Sequence, residues 1–186
     1  MSYAAEYERS LRDPEGFWRE QALALPWLRA PTTVLDQDPS GAWRWFRGGR
    51  TNTAWLALDR HVAAGRGDRT ALIYDSPVTG RILRFSYAEL LDRVARIAGG
   101  LAGLGVGKGD RVIIYMPLVQ EAAMAMLACA RIGAVHSVVF AGFSPDSIAS
   151  RLEDSASKLI ITASAGQRGG KWIAQKALVD EALTVA

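Results

Sequence analysis

Three short apolar runs constrain this chain most: "RVIIYM" (111–116), "AVHSVVF" (134–140) and "KLIITA" (158–163). Each is too short for a stable helix and too continuously apolar for a half-exposed strand. Such runs are strands buried on both faces. Helical patterns separate them. "LVQEAAMAMLACARIG" ends in Gly133, a helix stop, and Ser144-Pro145-Asp146 opens the next helix with a capping hydroxyl and a proline at N1. Strand, helix, strand, helix, strand is the grammar of βαβ units, so the expectation is α/β with a parallel sheet between layers of helix. In such sheets ligands bind beyond the carboxyl ends of the strands. Two stretches fall there: "FAGFS" after the second run and "SAGQRGGK" after the third.

Upstream, "TALIYDS" and "RILRFS" are joined by "PVTG" and predict a β-hairpin. Ser86 and Glu89 form the S-x-x-E capping box ahead of Leu90, Val94, Ile97, Leu101 and Leu104, with Gly105 as the stop. Downstream, "WIAQKALVDEAL" predicts a closing helix. The first sixty residues differ, holding five of the six tryptophans. Asp13-Pro14 starts a helix there, Pro26, Pro31 and Pro39 mark irregular chain, and "NTAWLALDRHVAAG" predicts a helix stopped at Gly65. The organisation expected is a helical, tryptophan-rich extension over residues 1–65. The first part of a larger α/β domain follows over 66–186.

Charge and composition exclude several classes. The net charge is +3, with 22 cations interleaved among 19 acids, which is no field for nucleic acid. "WRWFRGGR" (43–50) alternates aromatics with arginines, but it is short and reads as tryptophans packing a loop beneath arginine stems. His61 and His136 lack partners at metal-ligand spacing. Ser137 and Ser144 sit in no G-x-S-x-G elbow. Cys129, the single cysteine, lies on an apolar helix face and reads as a buried, inert thiol. No apolar run approaches the ~20 residues of a membrane span. No signal peptide is evident, so a cytoplasmic location is expected.

That leaves "ASAGQRGGKW" (163–172). Glycines let backbone amides approach an anion, and a following helix offers its positive end. Aligned on a Walker loop, Ala165 stands at the first glycine and Trp172 at the Mg²⁺-binding hydroxyl, so a P-loop NTPase is excluded. What remains is Arg168 and Lys171 around Gly169 and Gly170: a planar bidentate donor and a point charge, suited to a terminal phosphate monoester. No acid or base accompanies them. They bind rather than catalyse.

The stretch from "RVIIYM" through "ACARIGAVHSVVFAGFS" to "AGQRGGK", with "RWFRGGRTNTAWLALDRHV" before it, closely resembles the N-terminal part of short-chain acyl-CoA synthetases of the adenylate-forming superfamily. "YERSLRDPEGFWREQA" is most similar to the propionate enzymes. The resemblance implies ligation of acetate or propionate to coenzyme A, with ATP and Mg²⁺, through an acyl-adenylate. It also implies a coenzyme A site drawing on Phe140, Ala141, Gly142, Arg168, Gly169, Gly170 and Lys171. Lys171 replaces a frequent arginine and Ala141 a frequent glycine. The family's hydroxyl-rich ATP loop and its adenylation lysine find no match in this sequence. By resemblance, then, this is an N-terminal portion, expected to be inactive alone, with no catalytic residue or metal ligand and a tendency to self-associate. The alternative is a free-standing module that binds coenzyme A or another phosphorylated nucleotide without chemistry.

Overall fold

The structure, a computed structural model, describes residues 2–186. They form two compact units that divide between Asn52 and Thr53.

In the first unit, α1 (Tyr3–Arg12) and α2 (Pro14–Leu23) are followed by an antiparallel pair, β1 (Thr33–Gln37) and β2 (Trp43–Arg47). The Asp13 carboxylate accepts from the Gly16 amide and Pro14 takes the first helical position. The hairpin adds two strands where the expectation was helices joined by irregular, proline-marked chain. "WRWFR" has the strand's period of two, and the short turn at Ser40-Gly41 closes it. Trp45 meets Trp18 edge-on at 5.8 Å, and Trp27 donates from Nε1 to the Ala22 carbonyl at 2.7 Å. Aromatic rings thus fasten α2 to the hairpin. Arg44 and Arg47 are engaged by Asp38 and Asp36.

The second unit opens with a helical stretch widened into π-type turns over Trp55–Asp59 and Val62–Arg66, with Gly65 at φ +73°. The expected hairpin follows as β3 (Thr70–Ser76) and β4 (Arg81–Ser86). Ser86 and Glu89 close both arms of the capping box at the start of α3 (Tyr87–Gly103). Then come β5 (Arg111–Tyr115), α4 (Gln120–Ile132), β6 (Val135–Val138), α5 (Pro145–Ser155) and β7 (Leu159–Thr162). The three strands form one parallel sheet in the order β6-β5-β7. Residues 111–115 are the central strand because both faces must be covered. Val112 packs with Met124, Ala128 and Cys129 of α4 and with Leu90 and Val94 of α3. Ile113 and Tyr115, one residue out of phase, pack with Ile148 and Leu152 of α5. Two cores therefore lie on opposite faces of the sheet. Cys129 is fully buried, and burial raises its thiol pKa.

After β7 the chain departs from expectation. Residues 166–173 fold into a small hairpin, β8 (Gly166–Arg168) and β9 (Lys171–Ile173), ahead of α6 (Gln175–Val185). Trp172 and Ile173 belong to β9, so the closing helix starts later than its apolar pattern predicts. Gly169 and Gly170, at φ +55° and +77°, are the two central residues of the turn. Two positive-φ residues give the twist that joins antiparallel strands, and Gly-Gly supplies them without steric cost.

Candidate functional site

The loops leaving β5, β6 and β7 converge beyond the carboxyl ends of the sheet. There they enclose a cavity of about 420 Å³. The volume suits a small-molecule ligand. Its walls come from Pro117 and Leu118 after β5, Phe140 and Ala141 after β6, and the β8–β9 hairpin, with Tyr74–Thr79 opposite. The loop after β6 is held by Tyr115. Its buried hydroxyl lies 3.2 Å from the Ala141 and Phe143 carbonyls, to which it donates. Burial raises the Tyr115 pKa, so this donor keeps its proton.

Of the residues singled out in the sequence, Phe140, Ala141 and Arg168 line the cavity. The Arg168 guanidinium lies over the Phe140 ring, 4.6 Å from its centroid. Gly142 makes that arrangement fit: a Cβ there would sit 2.2 Å from Arg168 Nη1 and 2.9 Å from Phe140 Cε1. Residues from two loops distant in sequence, Phe140 and Gly142 from one and Arg168 from the other, thus meet at one point.

Lys171 is paired directly across the hairpin from Arg168 in the β8–β9 register. Among the described residues, neither cation takes part in an ion pair within 4.0 Å. Like charges directly opposed on a ladder repel. An anion between them would remove that cost. Gly169 and Gly170 leave the approach open, with nothing within 4 Å of a Cβ at either. The amides expected from a loop running into a helix are instead arranged in a tight turn, and α6 begins only at Gln175. The positive charge of the stretch therefore resides in its two side chains, Arg168 and Lys171.

One residue escaped the sequence reading. Gln175, first in α6, is 1% exposed and lines the same cavity, and neither Nε2 nor Oε1 has a hydrogen-bond partner. Its signal in the sequence is weak: a lone polar residue in an amphipathic helix. Among the described residues no group of three or more His, Cys, Asp or Glu side chains is placed to hold a metal ion. No helix among them is long and apolar enough to cross a membrane.

The sequence and the fold have known counterparts. The family model for AMP-binding enzymes matches residues 59–185, and that for the acetyl-coenzyme A synthetase N-terminus matches residues 3–57. The chain belongs to the AMP-binding enzyme family. More particularly, an acetyl-coenzyme A synthetase of Deinococcus radiodurans is 50% identical over 99% of the chain, and one of Streptomyces avermitilis 49% over 97%. An uncharacterised protein of Pseudomonas aeruginosa is 58% identical over the whole chain. Among solved structures, an acetoacetyl-CoA synthetase from Streptomyces lividans superposes with a TM-score of 0.86 at 29% identity over 98% of the chain. The chain spans 28–30% of the length of these proteins.

Proposed function

We propose that this chain is part of an ATP-dependent acid–thiol ligase that joins acetate or propionate to coenzyme A. Its contribution is a grip on the phosphorylated adenosine end of the coenzyme. The observation that carries this is the opposed pair Arg168 and Lys171, free of acidic partners, across a Gly-Gly turn beside the cavity. A terminal phosphate monoester has the charge and the free oxygens to accept from a bidentate guanidinium and an ammonium together. Phe140 offers a half-exposed ring face to the adenine, with Ala141 and Gly142 below it. Arg168 lies over that ring when no phosphate engages it.

Coenzyme A supplies the thiol that accepts the acyl group. The residues here orient the carrier and leave the adenylation of the carboxylate to other parts of the protein. ATP and Mg²⁺ would be held by other parts of the protein, as the resemblance to short-chain acyl-CoA synthetases implies.

The test separates the two half-reactions in the full-length ligase. Arg168→Glu is expected to raise KM for coenzyme A about tenfold or more, the equivalent of one charge-assisted hydrogen bond lost. ATP–pyrophosphate exchange should stay within about twofold of wild type. Equal losses in both would overturn the assignment.

A further inference from the structure

Phe140 reaches the cavity on the short loop between β6 and α5. The ring is 54% exposed, so its place depends on the backbone that carries it. A loop holds one shape when its backbone groups are bound. The Phe143 amide donates to the Phe140 carbonyl at 3.0 Å and closes a turn. The Ala141 and Phe143 carbonyls each lie 3.2 Å from the Tyr115 hydroxyl. A hydroxyl has one proton to give, so the two carbonyls share it and are drawn to one point.

The donor sits on the least mobile part of the unit. Tyr115 is the last residue of β5, the central strand, and is 0% exposed. Its ring packs with Ile113, Val139 and Ile148. A phenylalanine would fill that space equally well. The hydroxyl is the one feature of this side chain that packing alone does not require, and both of its bonds go to the loop. From the far side Phe143 braces the turn. It packs against the same core, lies under the Arg151 guanidinium at 4.7 Å and meets Phe140 edge-on at 5.8 Å. Phe140 in turn carries the Arg168 guanidinium. One line of contacts thus runs from a buried strand to an exposed cation.

We propose that Tyr115 is a positioning residue for the coenzyme A grip: its hydroxyl fixes the 140–143 turn, and through it the Phe140 ring and the guanidinium resting on that ring. The proposal deepens the coenzyme A reading and rests on it. Tyr115 itself lies outside the cavity wall and acts only through the loop.

The test uses the full-length ligase. Tyr115→Phe keeps the ring and deletes the hydroxyl. KM for coenzyme A should rise about fivefold, the equivalent of one buried hydrogen bond lost. The value of kcat and the rate of ATP–pyrophosphate exchange should stay within about twofold of wild type. Made on a Phe140→Leu background, the same substitution should change KM by less than about twofold, because the ring through which it acts is gone. Its full effect persisting on that background, a parallel fall in kcat and exchange, or failure of Tyr115→Phe to fold would assign the hydroxyl to general structure and overturn the proposal. An unchanged KM in Tyr115→Phe, where Arg168→Glu raises it, also overturns the proposal and leaves the grip standing. If Arg168→Glu itself leaves KM unchanged, the coenzyme A reading fails and the proposal falls with it.

Discussion

Single residues at the site divide by whether they are chosen for contact or for absence of contact. Arg168 and Phe140 touch each other, guanidinium over ring, and Lys171 stands across the β8–β9 register from Arg168. Gly142 matters for what a side chain would obstruct, Gly169 and Gly170 for a positive φ. Gly142→Ala puts a methyl 2.2 Å from the present Arg168 Nη1. It also comes within 2.9 Å of Phe140 Cε1; both neighbours are side-chain atoms and the ring is half-exposed, so the guanidinium leaves the Phe140 face, the ring shifts slightly, and the fold survives. The expected result is a few-fold weaker affinity for coenzyme A with a melting temperature changed by no more than about 2 °C, checked by titration and calorimetry. Gly170→Ala differs in kind. Its φ of +77° is disfavoured for any residue with a Cβ, at a cost of roughly 1–2 kcal/mol, and nothing crowds the new methyl. Denaturant unfolding should report that loss as a lower midpoint. These glycines stand out in the sequence by type. Which of them serves a turn and which serves a close approach is decided by residues distant in the chain, and so emerges only in three dimensions.

Elements were legible in proportion to their length and period. The parallel strands and α3 to α5 fall where apolar runs, the Ser86–Glu89 box, Ser144 and Gly133 place them; only the start of α4, at Val119, lacks a side-chain cap. Replacing Ser86 by Ala should cost about 1 kcal/mol in denaturant unfolding, since one free amide of α3 loses its acceptor. The two short hairpins were not legible. In β1–β2 the proline-rich flanks masked an alternation of five residues. In β8–β9 the Gly-Gly pair has two chemical readings, a turn and an anion loop, and only the pairing of Gly166 with Ile173 decides for the turn. The π-type widening at residues 55–66 has no local sequence signal. His61 is in that stretch, its ring 4.7 Å from Tyr87 and its Nδ1 accepting from Arg66 at 2.8 Å. Burial, followed by the charges of Arg66 and Arg60, holds its pKa below the ordinary value of 6.5. The unfolded chain therefore takes up the proton first as pH falls. Stability from this group is complete above about pH 7 and declines as pH drops through 6.5 toward the folded-state pKa. His61→Phe should flatten that slope between about pH 7 and 5, measured as urea midpoints across the range.

Among the described residues, the sheet of the second unit has three strands, and both outer strands pair on one side only. β5 is flanked on both sides, whereas β6 and β7 are each flanked on one. Edge strands are templates for further pairing unless charge, proline or a covering element blocks them. β6 carries no such device. Its Val135 and Val138 are both 54% exposed, and only His136 among its residues is ionisable. Lys158 precedes β7 and is engaged by Asp110 at 3.0 Å, which leaves the edge itself uncharged. The chain should therefore self-associate reversibly through β6. Sedimentation velocity over a hundredfold range of concentration should show a rising average mass. Val138→Lys places a charge on the exposed edge and should hold the chain monomeric across the same range, while the melting temperature at low concentration stays unchanged. Association that persists in Val138→Lys would locate the contact elsewhere. Association abolished by salt would make it a matter of charge rather than of the free strand.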